Sequence, residues 1–417
     1  MDASTLAGRV RGILGTQVPA AVTPPARGSR PPEAIAATLG GTWQGDARAQ
    51  RLVVERHYAA GDRYGSRRIG EFADALRAAT AGSPLVYGQD GARPPMMFFD
   101  LETTGLSGGA GTLAFLVGCG WFDEDGGFRT RQYVLARLAD EPALLEAFGA
   151  DLAAAGLLVS FNGRSFDAPL LETRFLFHRL PWIGEGRPHL DMLHPARRFW
   201  RDEAGCSLGV LEAQVLGARR TGDVPGFEIP ARYFQFLRDG DGRPLGEVLE
   251  HNRLDLLSLA GLMARVAHLT EAGPTAARDA REALALGHLL ARAGEHVKAR
   301  PAFERAVASE ADAGVRAAAL RALALDARRR RAFEEAAVFW RRLLNVANSP
   351  PAMAREATTA LAVHHEHRAR DLAAAKAFAM RGLDYDVRAG RAEAIRYRLA
   401  RLDRKIGRER AEGPLLE

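Results

Sequence analysis

Lysine is nearly absent from this chain: Lys298, Lys376 and Lys405 are the only lysines among 57 basic residues. The positive charge is therefore almost all arginine, in a chain rich in alanine and glycine. That reads as compositional bias as much as selection for a polyanion. Cysteine is equally scarce. Cys119 and Cys206 lie far apart with no CxxC spacing, which excludes a CxxC redox or zinc pair and leaves two reduced structural thiols. No apolar run approaches a membrane span; the richest, Leu113–Phe122, is short and broken by glycine. The N-terminus has no signal-peptide hydrophobic region, so the cytoplasm is the expected location. Gly105–Thr112 is glycine-rich, yet no lysine follows it, so the P-loop reading fails. Nor does a GxGxxG open a helix after a strand.

What is present comes in segments. A chain of 417 residues with 47% hydrophobic content should form two or three globular domains. Met1–Asp90 holds 11 basic and 8 acidic residues, Gly91–Ala272 holds 18 and 24, and Gly273 onward holds 28 and 19. The middle is the acidic part, as a metal-carboxylate site favours, while basic flanks suit a phosphate backbone. Leu6, Val10, Ile13 and Leu14 fit one short helical stripe, and Pro19–Pro32 reads as a linker. The expected division is 1–40 for that helix and linker, 41–272 for an α/β domain with its core at 95–270, and 273–417 for a helical domain. Residues 41–81 mix strand and helix patterns without an assigned role.

Within the middle segment, three strand-like runs follow closely: Met96–Leu101, Leu113–Phe122 and Phe128–Leu138. Asp140-Glu141-Pro142 opens a helix with acids and proline in its first turn. Leu157–Phe161 is a fourth strand, Pro169–Arg179 a helix and His189–Leu193 a fifth strand.

Three motifs carry chemistry. In Phe98–Leu106 (FFDLETTGL), side chains two apart on a strand share a face, so Asp100 and Glu102 point together and Leu101 points away. Two like charges held that close repel in an apolar setting, and a divalent cation with oxygen ligands relieves them. In FNGRSFDAPLL, Asp167 lies at the start of a helix that Ser165 can cap equally well, which leaves Asp167 free. In EHNRLDLLSLAGL, His251 and Asp255 are four apart on a helix and project from one face. The bland alternatives are solvated acids, a helix cap and an ordinary His–Asp pair. The ordered set is more specific than its members, since four carboxylates are what two-metal phosphodiester hydrolysis needs: one ion activates water, the other steadies the leaving oxygen.

FFDLETTGLSGGAGTLAFLVG, LVSFNGRSFDAPLLETRF, HLDMLHPARRFW, DVPGFEIPARYF and HNRLDLLSLA together resemble the DEDD (DnaQ-like) exonucleases of the ribonuclease H-like superfamily, and more narrowly the bacterial YprB-type family. The likeness spans roughly Gly41 to Leu269. It implies a ribonuclease H-like mixed sheet flanked by helices with the first strand central, and a 3′–5′ exonuclease acting on single-stranded DNA or RNA. Asp100, Glu102, Asp167 and Asp255 would hold two Mg2+ or Mn2+ ions, with His251 as general base or water-orienting residue. Superfamily members with a base histidine usually place four residues before the last aspartate; this chain has three, the spacing usually occupied by tyrosine. Thr103, Thr104, Leu106, Asn162 and Arg164 are the expected substrate contacts. Arg164, Arg174, Arg197 and Arg198 flank the motifs, where they read as phosphate contacts or as ordinary surface arginines; Asp191 lies at a strand end with an expected structural role, support of the site being the alternative.

After Gly273 only helical patterns remain. AGEHVKARPAFERAV, RRRAFEEAAVFWRRLL and RDLAAAKAFAMRGL recur, and aligning Ala299, Ala336 and Ala374 gives steps of 37 and 38 residues. This fits a tetratricopeptide-like array of about three helical hairpins, near the minimum for a stable solenoid, with an irregular bundle as the alternative. Such a tail suits docking, to nucleic acid or a protein partner, rather than chemistry. His364-His365-Glu366-His367 is expected to be a polar helix face, not a metal site. The competing reading of the whole chain is a binding scaffold with an inactive nuclease fold.

Overall fold

Phe98 and Phe99 are adjacent on one strand, so burying both requires a sheet covered on two faces. The computed structural model has that arrangement, and both rings are buried. The structure describes residues 31–46, 50–77, 83–86, 89–105, 111–201, 205–385 and 389–411. The expected helix around Leu6–Leu14, most of the linker and Leu106 lie outside them.

In chain order, helix α1 (Pro32–Leu39) leads into strands β1 (Thr42–Gln44) and β2 (Arg51–Tyr58). A small hairpin, β3 (Arg63–Tyr64) and β4 (Arg67–Arg68), precedes α2 (Ile69–Arg77). Strands β5 (Met96–Thr103), β6 (Ala114–Phe122) and β7 (Phe128–Val134) follow. Next come α3 (Glu141–Ala154), β8 (Leu157–Ser160), α4 (Asp167–Phe177), β9 (His189–Asp191) and α5 (Leu193–Phe199). The short α6 (Leu208–Leu211), then α7 (Ile229–Asp239) and the 30-residue α8 (Arg243–Ala272), complete this part.

The seven-stranded sheet has the order β1-β2-β7-β6-β5-β8-β9. Strand β5 pairs antiparallel with β6 and parallel with β8, so the sheet is mixed and β5 lies inside it. Met97, Phe99 and Leu101 join a core with Leu144, Phe148 and Leu171 of α3 and α4. Phe98 joins the opposite core with Phe72 of α2 and Leu256 of α8. The segment left unassigned in the sequence supplies β1 and β2, which extend the antiparallel edge. Helix α1 starts at Pro32, inside the expected linker, and buries Ala36 and Leu39 in the sheet's core.

Strands β5, β6 and β8 differ from expectation by one or two residues at an end, and three further boundaries differ for local reasons. Strand β7 ends at Val134 rather than Leu138, because that residue pairs with Leu116, just before β6 departs from its register at a bulge. Helix α4 spans Asp167–Phe177 instead of Pro169–Arg179, and Arg179 with φ 60 closes it. Strand β9 stops at Asp191, whose carboxylate accepts the Leu193 amide and turns the chain into α5.

Among the described residues the rest is helical: α9 (Ala280–Arg292), α10 (His296–Ala308), α11 (Ala313–Arg329), α12 (Phe333–Leu344), α13 (Pro351–His364), α14 (Leu372–Leu383) and α15 (Ala389–Ala411). Consecutive helices pack as α9–α10, α11–α12 and α13–α14 pairs. Ala299, Ala336 and Ala375 each sit fourth in the second helix of a pair, and all three are buried. The expected equivalent, Ala374, is one residue off and only half-buried, because the π-helical turn His365–Ala369 lengthens the third hairpin. The array is fastened to the sheet domain. Buried Glu282 of α9 accepts Trp200 Nε1 (2.9 Å) and Arg265 of α8 (2.6 Å), and one apolar core runs from Phe98 to Leu361.

The His364–His367 cluster is not a polar helix face. His364 and Glu366 are buried, and Glu366 binds Arg401 (2.6 Å) and Lys405 (2.8 Å) of α15. A carboxylate ringed by cations fastens the last helix.

Candidate active site

Strand β5 delivers Asp100 and Glu102 on the face covered by α8, at the carboxyl end of the parallel strands, where open α/β sheets form clefts. The pairing shifts between Glu102 and Thr103; such a bulge re-aims the strand end. Asp100, Gly118 and Gln132 lie side by side across β5, β6 and β7. Above them stands Asn252 of α8. Its amide donates to Asp100 Oδ2 (2.9 Å) and to the Asp100 carbonyl (3.2 Å), and its Oδ1 accepts from Gln132 Nε2 (2.9 Å). A Cβ at position 118 would stand 2.0 Å from Asn252 Oδ1. Glycine there is therefore a requirement of the site.

The loop after β8 brings the third acid. Asn162 adopts φ 68, a left-handed conformation that asparagine tolerates. Asp191 of β9 accepts the Asn162 amide (2.8 Å) and the Arg164 amide (3.3 Å), so this buried carboxylate shapes the loop. Gly163 lets Asp167 Oδ2 close in, since a Cβ there would meet it at 2.6 Å. Phe166, not Ser165, is the residue before the helix, and no side chain caps α4. Asp167 opens α4 without acting as its cap.

Helix α8 supplies the remainder. His251 Nε2 lies 3.5 Å from Asp255 Oδ2, the helical four-residue contact, and its Nδ1 is 2.7 Å from Asp223 Oδ1. Glu102, His251 and Asp255 offer ligand atoms all within 4.8 Å of one another. Arg220 enters from the loop before α7. Its guanidinium hydrogen-bonds Asp255 and Glu212 (2.7 Å), and reaches Asp223 at 3.4 Å. Glu212 also accepts from Ser258 (2.6 Å).

The electrostatics follow from this crowding. Burial, then the charges of Asp255, Glu102 and Asp167, push the Asp100 carboxyl well above its ordinary range; the Asn252 donor pulls the other way. Burial, Asp255 and Asp167 do the same to Glu102. Asp167 is raised to about 7 by burial and by Asp191. Burial raises Asp255 as well, against the opposing pull of Arg220 and His251. All four acids thus share one electrostatic site, and a single guanidinium does not neutralise it. Oxygen donors with unrelieved negative charge are the chemistry that hard divalent cations satisfy, so the residues fit such a metal. Asp100, Glu102, Asp167 and Asp255 would hold it.

Of the expected substrate contacts, Thr103 donates its hydroxyl to Gly105 O (3.0 Å) and Thr104 accepts the Leu113 amide (3.0 Å), so both brace the turn after β5. Asn162 and Arg164 lie on the Asp167 loop, and Arg164 is exposed. Arg174 is no phosphate contact: it is buried against Glu141 of α3 at 2.5–2.6 Å, with His178 on the same carboxylate at 2.8 Å. Sequence reading missed Gly118, Gln132, Asn252, Glu212, Arg220 and Asp223. Asn252 was visible beside His251, and Gly118 and Asp223 stand at the ends of quoted motifs; Gln132, Glu212 and Arg220 had no local signal, because strand register and loop return bring them in.

The comparisons agree with this geometry. A family model described as the RNase H superfamily matches residues 97–267, the span from β5 into α8. The chain is also 33% identical over 315 residues to the uncharacterized protein YprB of Bacillus subtilis (strain 168), covering 74% of this chain and 75% of that protein. With its mixed seven-stranded sheet and an RNase H superfamily domain at residues 97–267, the chain belongs to one family with YprB.

Proposed function

We propose that this protein is a metal-dependent exonuclease of the DEDD type, hydrolysing single-stranded DNA or RNA from the 3′ end. The observation that carries the reading is the convergence of Asp100, Glu102, Asp167 and Asp255, with carboxyl pKa values raised by burial and mutual repulsion, beside His251. Two Mg2+ or Mn2+ ions held there would supply Lewis-acid activation and offset charge on the reacting phosphate. His251 has an orienting partner in Asp223 at Nδ1, which leaves Nε2 on the Asp255 side to accept a proton from the attacking water. Asn252 holds Asp100 in place, and Asp191 holds the loop that carries Asp167. Phe166, exposed beside Asp167, offers a face on which a terminal base can stack.

The test is release of mononucleotides from end-labelled oligonucleotides with Mg2+ or Mn2+. Wild type should shorten a strand labelled at its 5′ end stepwise, and Asp100→Ala or Asp255→Ala should lose that activity by orders of magnitude while remaining folded. Absence of hydrolysis by wild type with either metal overturns the reading. One observation favours the alternative, a binding scaffold: Arg220 already forms an ion pair with Asp255, as a residue replacing a cation would. Calorimetric titration with Mn2+ separates the two, since a scaffold of that kind binds no ion.

A further inference from the structure

The helical array holds a groove of about 940 Å³ between the α11–α12 hairpin and helices α13 to α15. Its ionisable lining is almost all basic: Arg328, Arg355, Arg368, Arg398, His364 and His367. The one carboxylate among its lining residues, Glu356, already binds Arg321. Arg398 has a counterion in Glu366 at 3.6 Å. Arg328 and Arg355 have no ion pair among the described residues. Arg368 lies over Phe333, 4.0 Å from its centroid, so one flat face of the guanidinium is backed by an aromatic ring. His364 is only 7% exposed, lines the groove, and has neither ring nitrogen in a hydrogen bond; its nearest carboxylate is Glu334 at 3.4 Å.

Unpaired guanidiniums around an apolar floor are a mismatch that a polyanion with flat apolar parts removes. Phosphates satisfy the arginines, and a base stacks on an aromatic ring or on a guanidinium plane. An acidic peptide offers the charge without the stacking partner. The segment from Gly273 onward also carries nine more basic than acidic residues, which lengthens the favourable field around the groove.

We propose that this groove binds a single-stranded polynucleotide, holding its phosphates through Arg328 and Arg355 and stacking a base on the Arg368–Phe333 pair. The choice of polynucleotide rests on the nuclease reading of the carboxylate site. The groove would then retain the body of a strand whose end is being hydrolysed elsewhere on the molecule.

The test uses the full chain in EDTA, where metal-dependent hydrolysis is silent, with a fluorescein-labelled mixed-sequence single strand followed by anisotropy. Arg328→Glu/Arg355→Glu should weaken binding at least tenfold at 50 mM salt. Arg328→Gln/Arg355→Gln should weaken it less and lower the log–log salt slope by about 0.7 for each phosphate no longer neutralised. Arg368→Ala should weaken binding with little change in slope. Thermal melts confirm folding, and the Gln pair decides the matter if the Glu pair is unstable. With Mn2+ restored, both pairs should hydrolyse the p-nitrophenyl ester of thymidine 5′-monophosphate at the wild-type rate, because so small a substrate does not span to the groove. Unchanged affinity and slope in the arginine pairs overturns the proposal, as does displacement of the strand by poly-glutamate at equal charge concentration. If wild type hydrolyses neither ester nor oligonucleotide, the nuclease reading fails, while the anisotropy arm still decides the groove.

Discussion

Replacing Gly118 by alanine tests whether the carboxylate site is built through the sheet register. The new methyl would stand 2.0 Å from Asn252 Oδ1, where ordinary contact begins at 3.4 Å. The Asn252 amide must retreat, and a shift of about 1.4 Å stretches its 2.9 Å bonds to Gln132 and Asp100 beyond hydrogen-bonding range. One buried neutral bond is worth about 1 kcal/mol and one to a carboxylate about 2 kcal/mol. Overpacking adds about 1–3 kcal/mol before the neighbours relax. Gly118→Ala should therefore cost about 4–6 kcal/mol in urea unfolding of the metal-free protein. Asp100 also loses the one donor that lowers its pKa, so Mn2+ uptake at neutral pH should weaken. The decisive measurement is the double-mutant cycle. Asn252→Ala removes the atom that clashes, so adding Gly118→Ala to it should cost less than about 1 kcal/mol. A full Gly118→Ala penalty in the Asn252→Ala background, or wild-type stability of the single variant, refutes the reasoning.

The pH dependence has a defined sign. Asp167 titrates at about 7 when folded, against 3.8 for an unperturbed aspartate, so between those values the folded chain holds a proton that the unfolded chain has lost. Metal-free stability should fall as pH rises through that window, with Asp100, Glu102 and Asp255 acting in the same direction. Saturating Mn2+, which binds the charged form, should flatten the fall in a series of thermal melts and add about 2.7 kcal/mol at a hundred times its Kd; a melting temperature that climbs from pH 4 to 7 without metal contradicts this. Arg220→Ala leaves Glu212 and Asp255 buried without their cation, and should destabilise by about 3–5 kcal/mol in denaturant titration. Arg174→Ala should cost a similar amount through Glu141, yet leave hydrolysis per folded molecule and its KM unchanged, unlike removal of a phosphate-binding residue. His251→Ala should lower turnover strongly and leave Mn2+ affinity nearly intact, whereas His251→Tyr should retain more activity than Ala; equal loss of metal affinity and stability would instead mark His251 as a support for Asp255.

Much of the site was legible because its signals are local. Asp100 and Glu102 share a face by the two-residue period of a strand, and His251 and Asp255 share one by the four-residue step of a helix. Asp167 stood out by opening a helix without being needed as its cap. The helical tail was legible for the same reason, although its third repeat slipped by one residue where a π turn intervenes. Arg174 misled because a flanking arginine looks exposed until α3 packs Glu141 against it.

Local periodicity and residue chemistry, then, were enough to fix the class of fold, the carboxylates that meet and the helical character of the tail. Their supports were a matter of tertiary structure alone. Gln132 and Gly118 matter because two antiparallel registers set them beside Asp100. Arg220 matters because a loop distant in sequence returns to Asp255. The arginine-lined groove exists only because separate hairpins stack. Each of these depends on contacts between residues far apart in the chain, and spacing along the chain carries no information about how far apart they come to rest.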